Sequence, residues 1–441
     1  MGHLKKFNLQ SDYESFRDEN KLAFPNVSLI GENGKLFYHR LTNNYYQSFD
    51  LAIEDINNGN VGKNAQLNLN EETVCNVFMD SGLNIFLYKD IISNKTLDSN
   101  FKITLLLNNK TIKSFTDTFI ITNNDIFIKD GIIDCFPQNY DSEAYCLLLN
   151  GGNGIINNVT INTKSNGGGV MENPTTAICI KSHSILNIEN STFNGVDENN
   201  GSISNVYVEE LCELNCINTK FEATSPNGMS ANIFSQGDII LSSCDVQCYA
   251  NHTANAAGTN YATLSRAIYS VKGNVKLFDC QIYGTHSGLT IRDGELYVDG
   301  GTYDGYSHGG IYFGSNNTKN YIYNASVNDT PIRGEGMYDD GVAGTNGAGM
   351  YIGGGSFMEV YVDNCNFYGK IQPIVIKYNS SSSHDNQLFV SNSTINLDYT
   401  RCGIRNDGAN YVKFGVNNNF SYLNLENKRN YEITDETYYM H

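Results

Sequence analysis

Carboxylates are the side chains in this sequence whose types could do hydrolytic chemistry. Cleaving a glycosidic bond takes two carboxyl groups roughly 5 to 10 Å apart, one serving as acid and the other as base or nucleophile. Three stretches supply candidates: Glu209 in "VYVEE"; Glu335, Asp339 and Asp340 in "RGEGMYDDG"; and Asp304 with His308 in "YDGYSHGG". Glu209, Asp339 and Asp340 are the weak catalytic candidates, because acidic glycine-bearing loops are more often solvated turns than catalytic centres. No stretch has the spacing of a dedicated calcium loop, and no Gly-x-Ser-x-Gly, Walker or dinucleotide motif occurs. Phosphoryl and redox chemistry are thereby set aside, and no cofactor is expected.

The eleven cysteines are an odd number scattered through a long chain, unlike the dense framework of a small disulfide-rich domain. Cys212/Cys216 and Cys244/Cys248 have a spacing that zinc could use, but no matching histidine pair follows, so no metal is expected. With a formal charge of −18 the chain has no basic footprint for nucleic acid and is repelled by anionic membranes. No apolar run approaches the roughly 18 residues of a membrane span, and "MGHLKKFNLQSDYESF" lacks the hydrophobic centre of a secretory signal. A soluble protein made in the cytosol, without membrane insertion, is the expectation.

What would position such residues is a repeat. The stretch "ILNIENSTFNG" (185–195) alternates apolar and polar residues, breaks at an asparagine and resumes with a small residue and an aromatic. Near-copies are "LNCINTKF", "VKLFDCQI" and "VYVDNCNF". Aligned on its large apolar slot, the unit recurs eleven times between Ile112 and Ile395, about 21 to 40 residues apart. Such periods mark a solenoid whose units bury their apolar faces only by stacking. The turn slot holds Asn109, Asp130, Asn158, Asn190, Asn218, Ser243, Asp279, Gly300, Asn324, Asn364 and Asn392, nearly all tolerant of a left-handed backbone.

A further short strand precedes most units, as in "AICIK", "AIYSV" and "MYIGG", so each coil reads as three strands with an asparagine corner between the second and third. The expected fold is all-β: a right-handed parallel β-helix solenoid of about eleven or twelve coils, with an N-terminal capping helix and a small N-terminal attachment module. Alternation points Leu186, Ile188, Ser191 and Phe193 inward and puts Cys244, Cys280 and Cys365 in the small inward slot as buried thiols.

The outward column on the first strands then contains Cys179, Tyr207, Tyr269, Thr290, Tyr312, Tyr351 and Val375, flanked by Lys181, Glu209, Arg292 and Lys377. Tyr207, Tyr269, Tyr312, Tyr351 and Arg292 are glycan-binding candidates, since tyrosines on a sheet offer flat apolar faces with polar rims. The alternative is packing against loops or a neighbouring subunit, where aromatics are also enriched. The longest insertions, 162–176, 247–266 and 328–349, gather on one flank of this face. On the second strands, Tyr297, Tyr321, Tyr361 and Phe389 form a second exposed column, read as a candidate oligomer seam.

Division of the chain follows from where the repeat starts and stops. Residues 1–45 form a leader with a hairpin expected at Asn33-Gly34, and 46–100 hold the capping helix and first strands. In the helix, Phe49, Ala52, Ile53 and Ile56 share one face between Ser48 as N-cap and Gly59 as terminator. Residues 101–400 form the β-helix and 401–441 a C-terminal cap.

The repeat, asparagine corner and capping helix resemble right-handed parallel β-helix proteins of the pectate-lyase-like class over about three quarters of the chain. The leader "LKKFNLQSDYESF…FPNVSLIGENGKLFYH" is similar to that of fibre and spike proteins of crAss-like bacteriophages. That resemblance implies a virion protein, a head fibre or tail spike, assembled through residues 1–45 with other virion proteins. A β-helical body meeting host-surface or environmental carbohydrate, in a homotrimer, is implied with it. A polysaccharide depolymerase, hydrolase or lyase, is the alternative that the same class allows. Polygalacturonase-like enzymes carry Asn-Thr-Asp, Asp-Asp, Gly-His-Gly and Arg-Ile-Lys on successive coils; here only Asp339-Asp340 matches, and "SHGG" departs.

Overall fold

The computed structural model describes residues 44–433 apart from residue 67 and the stretches 138–143, 166–174, 199–202, 226–229, 251–264, 306–308, 315–317, 330–347, 354–357, 370–371, 377–385, 398–403, 407–410, 421–424 and 427–430. It also describes two short strands, Leu29–Ile30 and Leu36–Phe37.

The chain is a parallel β-helix. A 13-stranded sheet runs from Leu97–Ser99 to Leu425–Glu426, every strand parallel to the next and one per coil. The rod is therefore longer than the repeat count indicated. At roughly 4.8 Å per rung, this sheet extends for about 60 Å. The second and third strands of each coil stack in the same way, for example Ile185–Glu189 on Glu213–Ile217 and Thr192–Asp197 on Lys220–Ser225.

Register explains why the sequence repeats as it does. Leu186 pairs with Leu214 and Phe193 with Phe221, so like residues stack on like along the axis. All eleven large apolar slots from Ile112 to Ile395 are buried, and the Phe193 and Phe221 rings stack at 4.9 Å. Ring pairs of this kind contribute about 0.5–1.5 kcal/mol beyond burial.

All eleven turn-slot residues have positive φ, from Asn109 at 58° through Gly300 at 80° to Asn392 at 49°. Non-glycine residues rarely adopt this conformation, and asparagine does so at least cost because its amide bonds locally. Here the amides bond along the stack: Asn158 Nδ2 donates to Asp130 Oδ1 at 2.8 Å, Asn218 to Asn190 at 2.7 Å and Asn364 to Asn324 at 2.7 Å. The corner is thus both a bend and an axial polar ladder.

The N-terminal end is closed by the Phe49–Asn57 helix, which buries Phe49, Ala52, Ile53 and Ile56 on the end of the coil. Ser48 sits at the N-cap with extended backbone but makes no side-chain capping bond, and Gly59 terminates the helix at φ 66°. Buried Asp55 accepts bonds from Tyr46 Oη at 2.9 Å and from the Asn64 backbone and side chain at 2.9 and 2.7 Å. Beside the helix, Asn44–Tyr46 and Cys75–Met79 pair antiparallel, and Leu83–Leu87 hands over to the first parallel strand. The hairpin expected in the leader corresponds to the antiparallel pair Leu29↔Phe37 and Ile30↔Leu36; its turn lies outside the described residues.

Coiling also runs past residue 400, where the repeat ends in the sequence. Tyr411–Phe414 pairs parallel with Gln387–Ser391 and with Tyr431–Ile433. Asn417 at φ 56° occupies a twelfth turn slot, followed by Asn418 where earlier units carry a small residue. Asn418 stays inside by donating to the Val390 and Gly415 carbonyls at 2.9 and 3.1 Å.

Candidate functional site

The outward column of the first-strand sheet is a single ladder of paired residues. In order it runs Cys179, Tyr207, Phe234, Tyr269, Thr290, Tyr312, Tyr351 and Val375, each in register with the next. The parallel pairing that stacks the core on one face necessarily stacks these residues on the other. Tyr207 and Phe234 lie face to face at 5.4 Å and 8°, and Tyr312 and Tyr351 at 4.8 Å and 6°. Tyr269 meets Phe234 edge-on at 84°.

This column differs from the expected exposed one. Cys179, Thr290 and Val375 are buried, and Tyr269 and Tyr351 are each only 7% exposed. Tyr207 and Tyr312 are half-buried and Arg292 is exposed, so these three offer the contact surface. Two small apolar clusters lie outside the main core for this reason, one joining Ala231, Phe234 and Tyr269, the other Ala348, Tyr351 and Val375.

Two arginines converge on Tyr269. Arg266 places its guanidinium 4.6 Å from the ring centroid, and Arg292 Nη1 donates to the phenol oxygen at 3.0 Å. Burial pushes the Arg266 pKa down, and the like charge of Arg292 adds to that while Tyr269 and Tyr312 oppose it. Burial raises the Tyr312 phenol pKa, against the pull of both arginines.

Of the carboxylate candidates, the described residues include Glu209 and Asp304, which lie on different faces of the coil. Glu209 follows the strand Ile203–Val208, is half-buried, and accepts the Ser182 backbone N–H at 3.1 Å. Asp304 lies in Thr302–Gly305 on the third-strand sheet, a different face of the coil. Glu335, His308, Asp339, Asp340 and Lys377 lie outside the described residues. All ten described cysteines are buried. Among the described residues no helix is long and apolar enough to cross a membrane.

The second-strand column is also a ladder: Tyr297, Tyr321, Tyr361 and Phe389 follow one another in register, with Lys276 before and Lys413 after. Tyr321 and Tyr361 stack at 5.3 Å and 15°, and Tyr361 and Phe389 at 4.6 Å and 7°. All four rings are half-buried; Tyr321, Tyr361 and Phe389 cover one another's faces, whereas Tyr297 meets Tyr323 edge-on at 79°.

Sequence reasoning missed Phe234 and Arg266. Phe234 was hidden because "ANIFS" carries buried Asn232 at an inward position, whose amide donates to the Gln247 carbonyl at 2.7 Å. The signal for both was register: Phe234 fills the slot between Tyr207 and Tyr269, and Arg266 opens the strand that carries Tyr269.

No family model matches the chain, and no curated protein matches it. Among solved structures, it is similar to the surface protein and adhesin PfbA of Streptococcus pneumoniae, at 10% identity and a TM-score of 0.31, covering 76% of this chain and 89% of that one. It is also similar to the Dettilon tailspike protein, at 10% identity and a TM-score of 0.29, covering 78% of this chain and 62% of that one. At this level of likeness neither neighbour assigns an activity to the chain.

Proposed function

We propose that the chain forms the projecting body of a virion fibre or spike and holds surface carbohydrate on the outer face of its first-strand sheet. The observation that carries the reading is the outward ladder of Tyr207, Phe234, Tyr269, Tyr312 and Tyr351, joined by Arg266 and Arg292. Aromatic rings with polar rims and fixed hydrogen-bond donors suit a sugar, which presents apolar C–H faces edged with hydroxyls.

Residues 1–45 supply attachment to other virion proteins, 46–100 close the rod and 101–400 carry the binding face, with the segment after 400 ending it. Tyr297, Tyr321, Tyr361 and Phe389 form the seam of a homotrimer. The test is capture of immobilised host and environmental glycans by the full chain, with its position read from a virion density map. Capture that falls at least about tenfold on Tyr312→Ala is expected for loss of a ring contact in a small site. A monomer with no affinity for any glycan or for virions would refute the reading.

A further inference from the structure

The three sheets of the coil are closed differently at the N-terminal end. The first-strand sheet starts at Leu97–Ser99, against which the Phe49–Asn57 helix packs, and the second-strand sheet is continued by the antiparallel strands Cys75–Met79 and Asn44–Tyr46. The third-strand sheet starts at Ile91–Ser93, which among the described residues pairs on one side only, with Ile103–Ser114. On the outer face of that sheet lies a groove of about 800 Å³, headed by Phe49 at the start of the helix.

The groove follows one outward column, Ile92, Lys113, Asp134 and Asn162, in register over four rungs. At about 4.8 Å per rung it is about 14 Å long, the span of roughly four residues of extended chain. Two isoleucines border it, Ile92 at 61% exposed and Ile132 at 38%. Single exposed apolar residues are ordinary, whereas two beside one groove mark an association surface. Two carboxylates also border it, against the one ammonium of Lys113. Asp90 accepts the Thr111 backbone N–H at 2.9 Å and Asp134 accepts the Asn162 amide at 2.7 Å, so both are held in place. Each carboxylate still has lone pairs for a further donor.

An occupant matched to this groove is short, apolar and basic. Residues 4–7, "LKKF", have that chemistry, and residues 1–10 hold Lys5 and Lys6 without a carboxylate, in a chain whose net charge is −18. Residues 8–43 connect the segment to Asn44, which stands three residues before Gln47 in the groove wall. A connection of that length has a contour of about 120 Å, far more than the groove requires. Tethering on the same chain supplies an effective concentration in the millimolar range, which lets a small contact area suffice.

We propose that this groove is the docking site for residues 4–7 of the same chain, with Leu4 and Phe7 on Ile92 and Ile132 and the two lysines beside Asp90 and Asp134. The inference goes beyond the attachment role of residues 1–45, because it names where on the body the leader is held.

The test is limited proteolysis of the full chain by a lysine-specific protease, with cleavage after Lys5 and Lys6 followed by intact mass and cleavage after Lys21 as the internal reference. Proteolysis tracks the population of the open form, so wild-type protein should be cut after Lys5 and Lys6 about tenfold more slowly than Ile92→Lys. Ile132→Lys, also at an exposed position, should give the same acceleration, which guards against a fault peculiar to one variant. Equal rates in wild type and both variants overturn the docking site. Protection that fades on dilution places the leader of a second copy in the groove and overturns the assignment to the same chain.

Discussion

Asparagine at the coil corner has two separable roles, and Asn218 allows them to be told apart. It holds φ at 49°, and its amide donates to Asn190 Oδ1 at 2.7 Å. Asn218→Ala loses the bond and pays for the left-handed backbone, so a loss of about 2 kcal/mol is expected in chemical denaturation. Asn218→Gly loses only the bond and should cost about half as much. Inward cysteines give a second residue-scale prediction. Burial pushes the Cys248 and Cys365 thiols up to about 12, above the ordinary value of 9.0. The unfolded thiols ionise first as pH rises, so their contribution is complete below about pH 9 and is lost as pH climbs towards 12. Stability should therefore fall on the alkaline side, and a thiol reagent at pH 8 should leave the ten described cysteines unmodified until the protein is denatured. These positions were legible because a left-handed corner admits few residue types and the inward slots alternate strictly. The exposure of the outward column was not, since alternation reports which way a side chain points and not what covers it.

At the scale of elements, the Phe49–Asn57 helix was legible from the spacing of its apolar residues, and its job follows from what it buries. Ile53 is fully buried against the end of the coil. Ile53→Ala should cost about 2–5 kcal/mol, and Ile53→Asp should expose the first rung and drive association, seen as large species in size-exclusion chromatography. The strand Ala231–Ser235 was harder to read. It carries Asn232, an amide that replaces core packing with bonds to backbone and to Asn205, and this breaks the apolar alternation from which the other first strands were recognised. The twelfth corner at Asn417 was hidden for a similar reason, with bulky Asn418 in a slot that most earlier units fill with Ser, Thr, Cys, Ala or Gly.

For the whole molecule, the repeat specified a rod, while the proposed ligand face and seam depend on what neighbouring chains and loops do, which a one-chain periodicity does not encode. The second-strand ladder gives the prediction at this scale. If the proposed homotrimer forms through this ladder, Tyr321→Lys with Tyr361→Lys puts two charges into it, and light scattering should then report the mass of one chain in place of three. Axial pairing has a mechanical consequence as well. Hydrogen bonds between coils run along the rod, so a pull on its far end loads all bonds of one rung together and the rungs one after another. Such a rod is as strong as its weakest rung. On the first-strand sheet the rung between Ile404–Asn406 and Leu425–Glu426 has two residue pairs, against five where Tyr145–Asn150 meets Thr175–Lys181. Under tension the molecule opens from its C-terminal tip, each freed coil pays out its contour as slack, and the end closed by the helix is the last to open.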